Sequence, residues 1–390
     1  NVDLDGNVTV NGLAGVNIMI ENKPISAYGN PAQILKTLPA AALDKVEVIA
    51  TPGAKYDAQG EGGILNLVLR RERGGGLNGI VDLNVGLHDN YSGAAMLNQR
   101  TETLHLTAGA DFVAARQQRY REVETDFDGT SQLFRTGSTT SKARSIAGRV
   151  GADITLDTVQ RVALNAEVRH NNGTGADPWN NTFVTSAGSS YQYMDQTTGG
   201  PTTAAGVTGT YTRAVGPKDQ DLVANVYFYP DWFDVTTTVL STPTTQSGTP
   251  SGTTTGQRAR TVGTGRYIEG MVDYGMPLSE TMRMETGVDA TIQLINSSFE
   301  VSDYDALTDG WTPNSALSNG AWHREDVYAV YANLAESFDA LSLSGGIRWE
   351  QTYNWFENRD DASINFHRAF GNMFPSLSVS YKLTDATDLQ

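Results

Sequence analysis

Period-two alternation of apolar and polar residues, sustained across most of residues 77–382, constrains this chain more than any other feature. Successive side chains of a strand point to opposite faces, so such a run makes one face apolar and the other wet. From Arg161 to Arg169, Val162, Leu164, Ala166 and Val168 take one side, while Arg161, Asn165, Glu167 and Arg169 take the other. Leu104, Leu106, Ala108, Ala110 and Phe112 oppose His105, Thr107, Gly109 and Asp111 in the same way. Leu341, Leu343, Ile347 and Trp349 oppose Ser342, Ser344, Arg348 and Glu350, and Leu377, Val379 and Tyr381 oppose Ser376, Ser378 and Ser380.

Roughly twelve strands follow from this alternation and its turn signals, near 77–87, 91–99, 103–125, 132–156, 161–171, 203–215, 221–238, 258–276, 282–299, 322–337, 341–355 and 365–382. Several far exceed the roughly 5–6 residues usual in globular proteins. Tight connections such as Asp157–Gln160 and Asp339–Ala340 alternate with the others, three of which, 172–202, 239–257 and 300–321, are expected to be long loops. Long strands with short turns at one end and long loops at the other are the pattern of an outer-membrane barrel. Pairing of each strand with its sequence neighbour satisfies the backbone, as lipid demands. The fold class expected is therefore all-β dominated, an antiparallel transmembrane β-barrel preceded by a small α+β unit. Val162, Leu164, Ala166, Val168, Leu341, Leu343, Ile347 and Trp349 should face lipid. Arg161, Glu167, Arg169, Arg348 and Glu350 should face the lumen.

Composition agrees by exclusion. No run approaches the roughly 20 apolar residues of a spanning helix. A mean hydropathy of -0.34 does not distinguish a soluble protein from a barrel, since only alternate barrel residues meet lipid. A net charge of -16 argues against nucleic acid, and zero cysteines removes disulfides and thiolate chemistry. The Gly74-x-Gly76-x-x-Gly79 spacing opens a strand rather than a helix, so it is no dinucleotide loop. Asp3-x-Asp5-x-Asn7 lacks the glycine and the downstream glutamate of a calcium loop, and the five histidines are scattered. No cofactor, metal site or catalytic residue is expected. Carboxylate and arginine alternations such as Arg283, Glu285 and Asp289 suit a lumenal wall, and Tyr227, Tyr229, Trp232, Trp322, Trp349, Trp355 and Phe374 suit interfacial girdles.

Residues 1–73 differ in character. Short strands at Val8–Val10, Val16–Ile20, Asp44–Ala50 and Ile64–Leu69 surround a helix at Pro31–Leu38, with Asn30 as its cap. Within them Leu38-Pro39, Asp44-Lys45-Val46-Glu47-Val48-Ile49, Pro52, Ala54-Lys55-Tyr56-Asp57-Ala58, Gly60, Gly62-Gly63-Ile64-Leu65-Asn66 and Val68 occur in order. That series resembles the end of the plug domain of TonB-dependent outer-membrane receptors, and Val16–Pro24 resembles an earlier strand of the same plug. Asn11-Gly12 stands where the family usually has an Arg-Gly pair.

The resemblance implies a domain division: 1–73 as the C-terminal part of a plug, and 74–390 as about half of a 22-stranded barrel, the chain being truncated at both ends. It also implies gated uptake of a scarce nutrient (a siderophore, cofactor or glycan) energised by the inner-membrane TonB complex through a segment upstream of Asn1. A non-energised structural or adhesion barrel is the alternative, and a passive porin or a soluble secreted β protein fits less well. Trp179, Tyr191, Tyr193, Tyr304 and Trp311, on the expected outer loops, are the candidate ligand contacts.

Overall fold

The computed structural model describes residues 9, 16–20, 23–24, 43–49, 53–55, 63–69, 76–127, 129–216, 220–384 and 387–389. They form two sheets. The smaller contains β1 (Asn17–Ile20), β2 (Lys23–Pro24), β3 (Leu43–Ile49) and β4 (Ile64–Leu69), in the order β2-β1-β4-β3. β1 runs parallel to β4, and β3 antiparallel to it. Ile18, Met19, Ile64 and Leu67 are buried, which gives this short sheet an apolar core. Asn66 is buried among them because its amide donates to Glu47 Oε2 at 2.8 Å. The expected helix at 31–38 and the strand at 8–10, apart from Thr9, lie outside the described residues.

The larger sheet is a fifteen-stranded antiparallel wall. Its strands are β5 (Gly76–Gly86), β6 (Asn90–Arg100), β7 (Leu104–Phe127), β8 (Ser131–Thr155), β9 (Gln160–Ala176), β10 (Trp179–Thr185), β11 (Gly188–Ala214), β12 (Asp221–Thr244), β13 (Thr255–Pro277), β14 (Met282–Asp305), β15 (Gly310–Pro313), β16 (Asn319–Phe338), β17 (Leu341–Asn358), β18 (Phe366–Thr384) and β19 (Thr387–Leu389). The twelve expected strands are all present, and β10, β15 and β19 are additional short ones. Among the described residues no ladder joins β5 to β18 or β19.

The three expected long loops are the main correction. Most of 172–202 is ladder: β9, β10 and β11 extend through it and leave only a tight turn near Ser186-Ala187. β12 runs to Thr244, β13 starts at Thr255, and β14 continues to Asp305. Their Thr, Ser and Gly content resembles that of a loop, yet backbone pairing needs no apolar side chain. β9 and β10 are one strand interrupted at Asp177-Pro178, since both pair β8 and β11 in succession. Pro178 has no N–H for the ladder, which places the break there.

The two faces of the wall separate as the alternation requires. Leu164, Val168, Ile347 and Trp349 are 50%, 54%, 46% and 43% exposed, while Arg169, Arg348 and Glu350 on the opposite face are 7%, 2% and 8% exposed. On β12 the outer face holds Leu222, Ala224, Val226, Phe228, Pro230 and Trp232 before turning polar at Asp234 and Thr236. That apolar band matches the roughly 9–11 residues of a tilted membrane strand. Trp232, Trp322, Trp349 and Trp355 share the outer face, but Tyr227 and Tyr229 do not. Both tyrosines are buried on the inner face, where their rings stack with centroids 6.1 Å apart. Phe374, opposite Arg348 in the ladder, also belongs to the inner face.

Candidate functional site at the inner wall

The inner faces of β13, β14, β16 and β17 carry charge at mid-strand height, where the ladders hold each side chain beside the next. Arg348 is the most buried of them, and its Nε donates to Glu350 Oε1 at 2.6 Å while Nη2 donates to Asp289 Oδ2 at 3.1 Å. Tyr331 lies directly opposite Arg348 and donates its hydroxyl to Asp273 Oδ1. Gly287 makes this possible, since a Cβ there would fall 2.7 Å from the Tyr331 ring. Lower on the same face, Arg283 pairs Asp221 at 3.0 Å and Glu285 at 3.3 Å. Acids outnumber bases in this sector, with Glu269 and Glu325 sharing the face.

Residues 53–55, between β3 and β4 of the smaller sheet, seat against this sector. Lys55 Nζ lies 3.1 Å from Asp273 Oδ2, and it brings positive charge to the acidic surface. Ala54 is buried, and a Cβ on Gly346 would come within 2.8 Å of Ala54 Cβ, so the absent side chain on β17 creates the seat. Asn333 lies beside both Gly53 and Gly346.

A second inner-face cluster sits on β7, β8 and β9. Asp111 takes Arg149 and, at 3.5 Å, Arg169, so two guanidiniums share one carboxylate. Arg169 also donates to Ser145 Oγ at 3.3 Å. Higher on the same face, Arg121 and Arg135 stack on Trp179 at 5.0 Å and 5.3 Å from its rings. Arg121 Nη2 donates to both carboxylate oxygens of Asp177, at 2.8 Å and 2.9 Å. Burial pushes the Asp177 carboxyl up, but hydrogen bonds from Thr139, Trp179 and Arg121 outweigh it and hold the group below the usual carboxylate range.

The five aromatic residues expected to touch ligand do not converge. Trp179 is buried and faces inward. Tyr191 and Tyr193 pair with Thr182 and Asn180, which places them on the opposite face of that hairpin. Tyr304 and Trp311 form a separate tilted pair, centroids 5.3 Å apart, with Arg258 over Trp311 at 4.8 Å. The Tyr304 hydroxyl donates to Asp309 at 2.6 Å, which raises its pKa.

Residues 213–390 match the model of the Outer membrane protein beta-barrel family. The long-stranded wall, apolar outside and charged within, agrees with this match to the second part of the chain. The fold is that of an outer-membrane β-barrel. None of the curated proteins compared matches the chain. Among solved structures, the barrel is similar to the ferric enterobactin receptor of Pseudomonas aeruginosa, at 12% identity over 95% of this chain and 84% of that one, with a TM-score of 0.32. It is similar to the ferric yersiniabactin uptake receptor of Yersinia pestis at 9% identity, over 96% of this chain and 72% of that one, with a TM-score of 0.35. A pyoverdine outer membrane receptor of Pseudomonas aeruginosa aligns at 13% identity, over 97% of this chain and 83% of that one, with a TM-score of 0.27. Likenesses this loose leave the barrel's function to its own residues.

The seat for residues 53–55 is what sequence reasoning missed. Lys55 stood in the plug-like series and Asp273 on the polar side of an alternating strand, but no local pattern joins positions so far apart. The usable signal was Gly346, a small residue at the inner-face position between Ser344 and Arg348.

Proposed function

We propose that this barrel belongs to a TonB-dependent outer-membrane receptor, with residues 1–73 supplying part of a plug and residues 74–390 part of the wall that surrounds it. One observation carries the reading: residues 53–55 dock on the inner wall, with Lys55 on Asp273 and Ala54 in the Gly346 seat. A folded unit held in the lumen by a few polar contacts obstructs passage, yet it can be displaced by force without unfolding the wall. A part-exposed pair such as Lys55 with Asp273 fixes the docked geometry while adding little net stability, which suits a plug that must move. On this reading the cargo is a scarce nutrient (a siderophore, cofactor or glycan) and the inner-membrane TonB complex supplies the force. Of the five aromatics, Trp179 remains in the proposal as the floor of an inner-face ligand site. Beside it stands the half-buried Arg135, which donates from Nε to Asn181 at 3.2 Å.

Because the chain has no cysteine, a tether can be placed cleanly. Ala54→Cys with Gly346→Cys joins the docking loop to β17 once the two Cβ positions open slightly. In cells carrying the complete receptor, oxidation should abolish growth on the cognate nutrient and reductant should restore it. Equal uptake in oxidised and reduced cells would end the gating reading. Uptake indifferent to loss of the inner-membrane energising complex would favour a non-energised barrel.

A further inference from the structure

The outer face of β7 and β8 presents three cations, two of which the chain itself leaves uncompensated. Arg116 lies directly opposite Lys142 in the ladder, and Ala114 lies opposite Arg144, so the three side chains form one patch on the outward side. Like charges directly opposite each other destabilise a strand pair. Arg116 has Asp89 at 3.4 Å, with both side chains substantially exposed. Lys142 and Arg144 are exposed and have no hydrogen-bond or ion-pair partner among the described residues. Such a patch is unexpected in a chain of net charge -16.

Its height tells what faces it. Immediately below lie Phe112, Ile146, Val150 and Val168, which are 46%, 60%, 60% and 54% exposed and belong to the lipid-facing band. The patch is on the side of Gly129-Thr130, away from the tight turns at 101–103 and 156–159, so it stands at the outer boundary of the membrane. Farther round the wall, also above the apolar band, Arg260 is bracketed by Asp234 at 2.7 Å and Glu300 at 3.5 Å. That sector neutralises itself, whereas the β7–β8 sector does not.

We propose that Arg116, Lys142 and Arg144 form a binding site for the phosphates of an outer-leaflet saccharolipid of the lipid A type, whose acyl chains lie along Phe112, Ile146 and Val150. Guanidinium and ammonium groups take phosphate oxygens through charge-assisted hydrogen bonds, and the apolar strip below takes the chains. A soluble anion would use the charges alone, so the adjoining strip favours a lipid.

The test is native mass spectrometry of the full chain in neutral detergent, with bis-phosphorylated lipid A, its dephosphorylated counterpart and inorganic phosphate as probes. The double variant Lys142→Gln with Arg144→Gln should retain lipid A about 30-fold less tightly, given the usual contribution of each basic residue near an anionic lipid. Arg260→Gln, in the self-neutralised sector, should leave retention within about twofold of the parent. If the double variant does not fold, as judged by heat-modifiable gel mobility, Arg144→Gln alone should weaken retention about fivefold. Unchanged retention in these variants, an equal loss in Arg260→Gln, or equal binding of the dephosphorylated lipid would each overturn the site. Displacement of lipid A by an equal concentration of inorganic phosphate would reassign it to soluble anions and overturn it as a lipid site.

Discussion

The two inner-face clusters solve the same problem in opposite ways. On β13–β17 one guanidinium, Arg348, serves two carboxylates, and the surplus negative charge is met from outside the wall by Lys55. On β7–β9 two guanidiniums, Arg149 and Arg169, serve one carboxylate, Asp111. A buried charge is tolerable only with a partner, so the stoichiometry decides how each sector responds to losing a member. Asp289 and Glu350 depend on Arg348 alone, whereas Asp111 keeps a second guanidinium if one is lost.

That asymmetry can be broken most directly by mutation. Arg348→Met leaves Asp289 and Glu350 buried without their cation and should cost about 3–5 kcal/mol in urea unfolding from lipid vesicles. Arg169→Met leaves Asp111 with Arg149 and should cost less, about 1–3 kcal/mol. Equal losses would show that stoichiometry does not govern the two sectors. The contrast sharpens on β9 itself, because position 164 faces lipid where position 169 faces Asp111. Leu164→Arg, near the middle of the apolar band, should cost about 2–4 kcal/mol, measured by the same folding equilibrium.

Smaller effects test the contact between the two sheets. A double-mutant cycle on Lys55→Met and Asp273→Asn should return a coupling of about 1 kcal/mol, modest because Lys55 is about a third exposed. No coupling would mean that the loop and wall are merely adjacent. The smallest effect concerns pH at the outer end of the basic sector. The Asp177 carboxyl is held below its usual range, so its contribution is fully present above pH 3.8 and is lost as pH falls through the folded value. Being partly exposed, the pair with Arg121 should contribute under about 1 kcal/mol. Asp177→Asn should remove that low-pH step from the acid-unfolding curve, and an unaltered curve would show that other carboxylates dominate.

Much of this molecule was legible in its sequence, and for one reason. Period two is a local property, so the faces carrying Leu164 and Arg169, or Ile347 and Arg348, could be assigned residue by residue. What failed was inference from composition. The Thr- and Ser-rich stretches around Thr197 and Thr242 resembled loops because their side chains are polar on both faces, yet above the membrane a strand needs no apolar face. The same error scattered the five aromatic candidates. Trp179 pairs with Met194 and Tyr193 with Asn180, so the two rings sit one register step apart and emerge on opposite sides of one hairpin, which cannot be seen until the strand and its register are known. Lys55 and Asp273 came together through tertiary placement, which alternation does not encode.

The continuation of the strands beyond the lipid band changes what the outer surface is made of. β12 carries its band from 222 to 232 and then runs on to Thr244, paired with β11 to its end and with β13 as far as Ser241. Those further residues, at about 3.3 Å each along a strand tilted by about 45°, raise the rim roughly 30 Å above the apolar belt. The outer rim of this wall is thus stiff paired strand, not a fringe of swaying loops. Proteases at the cell surface find few stretches outside strands to cut, with 245–254 the longest among the described residues.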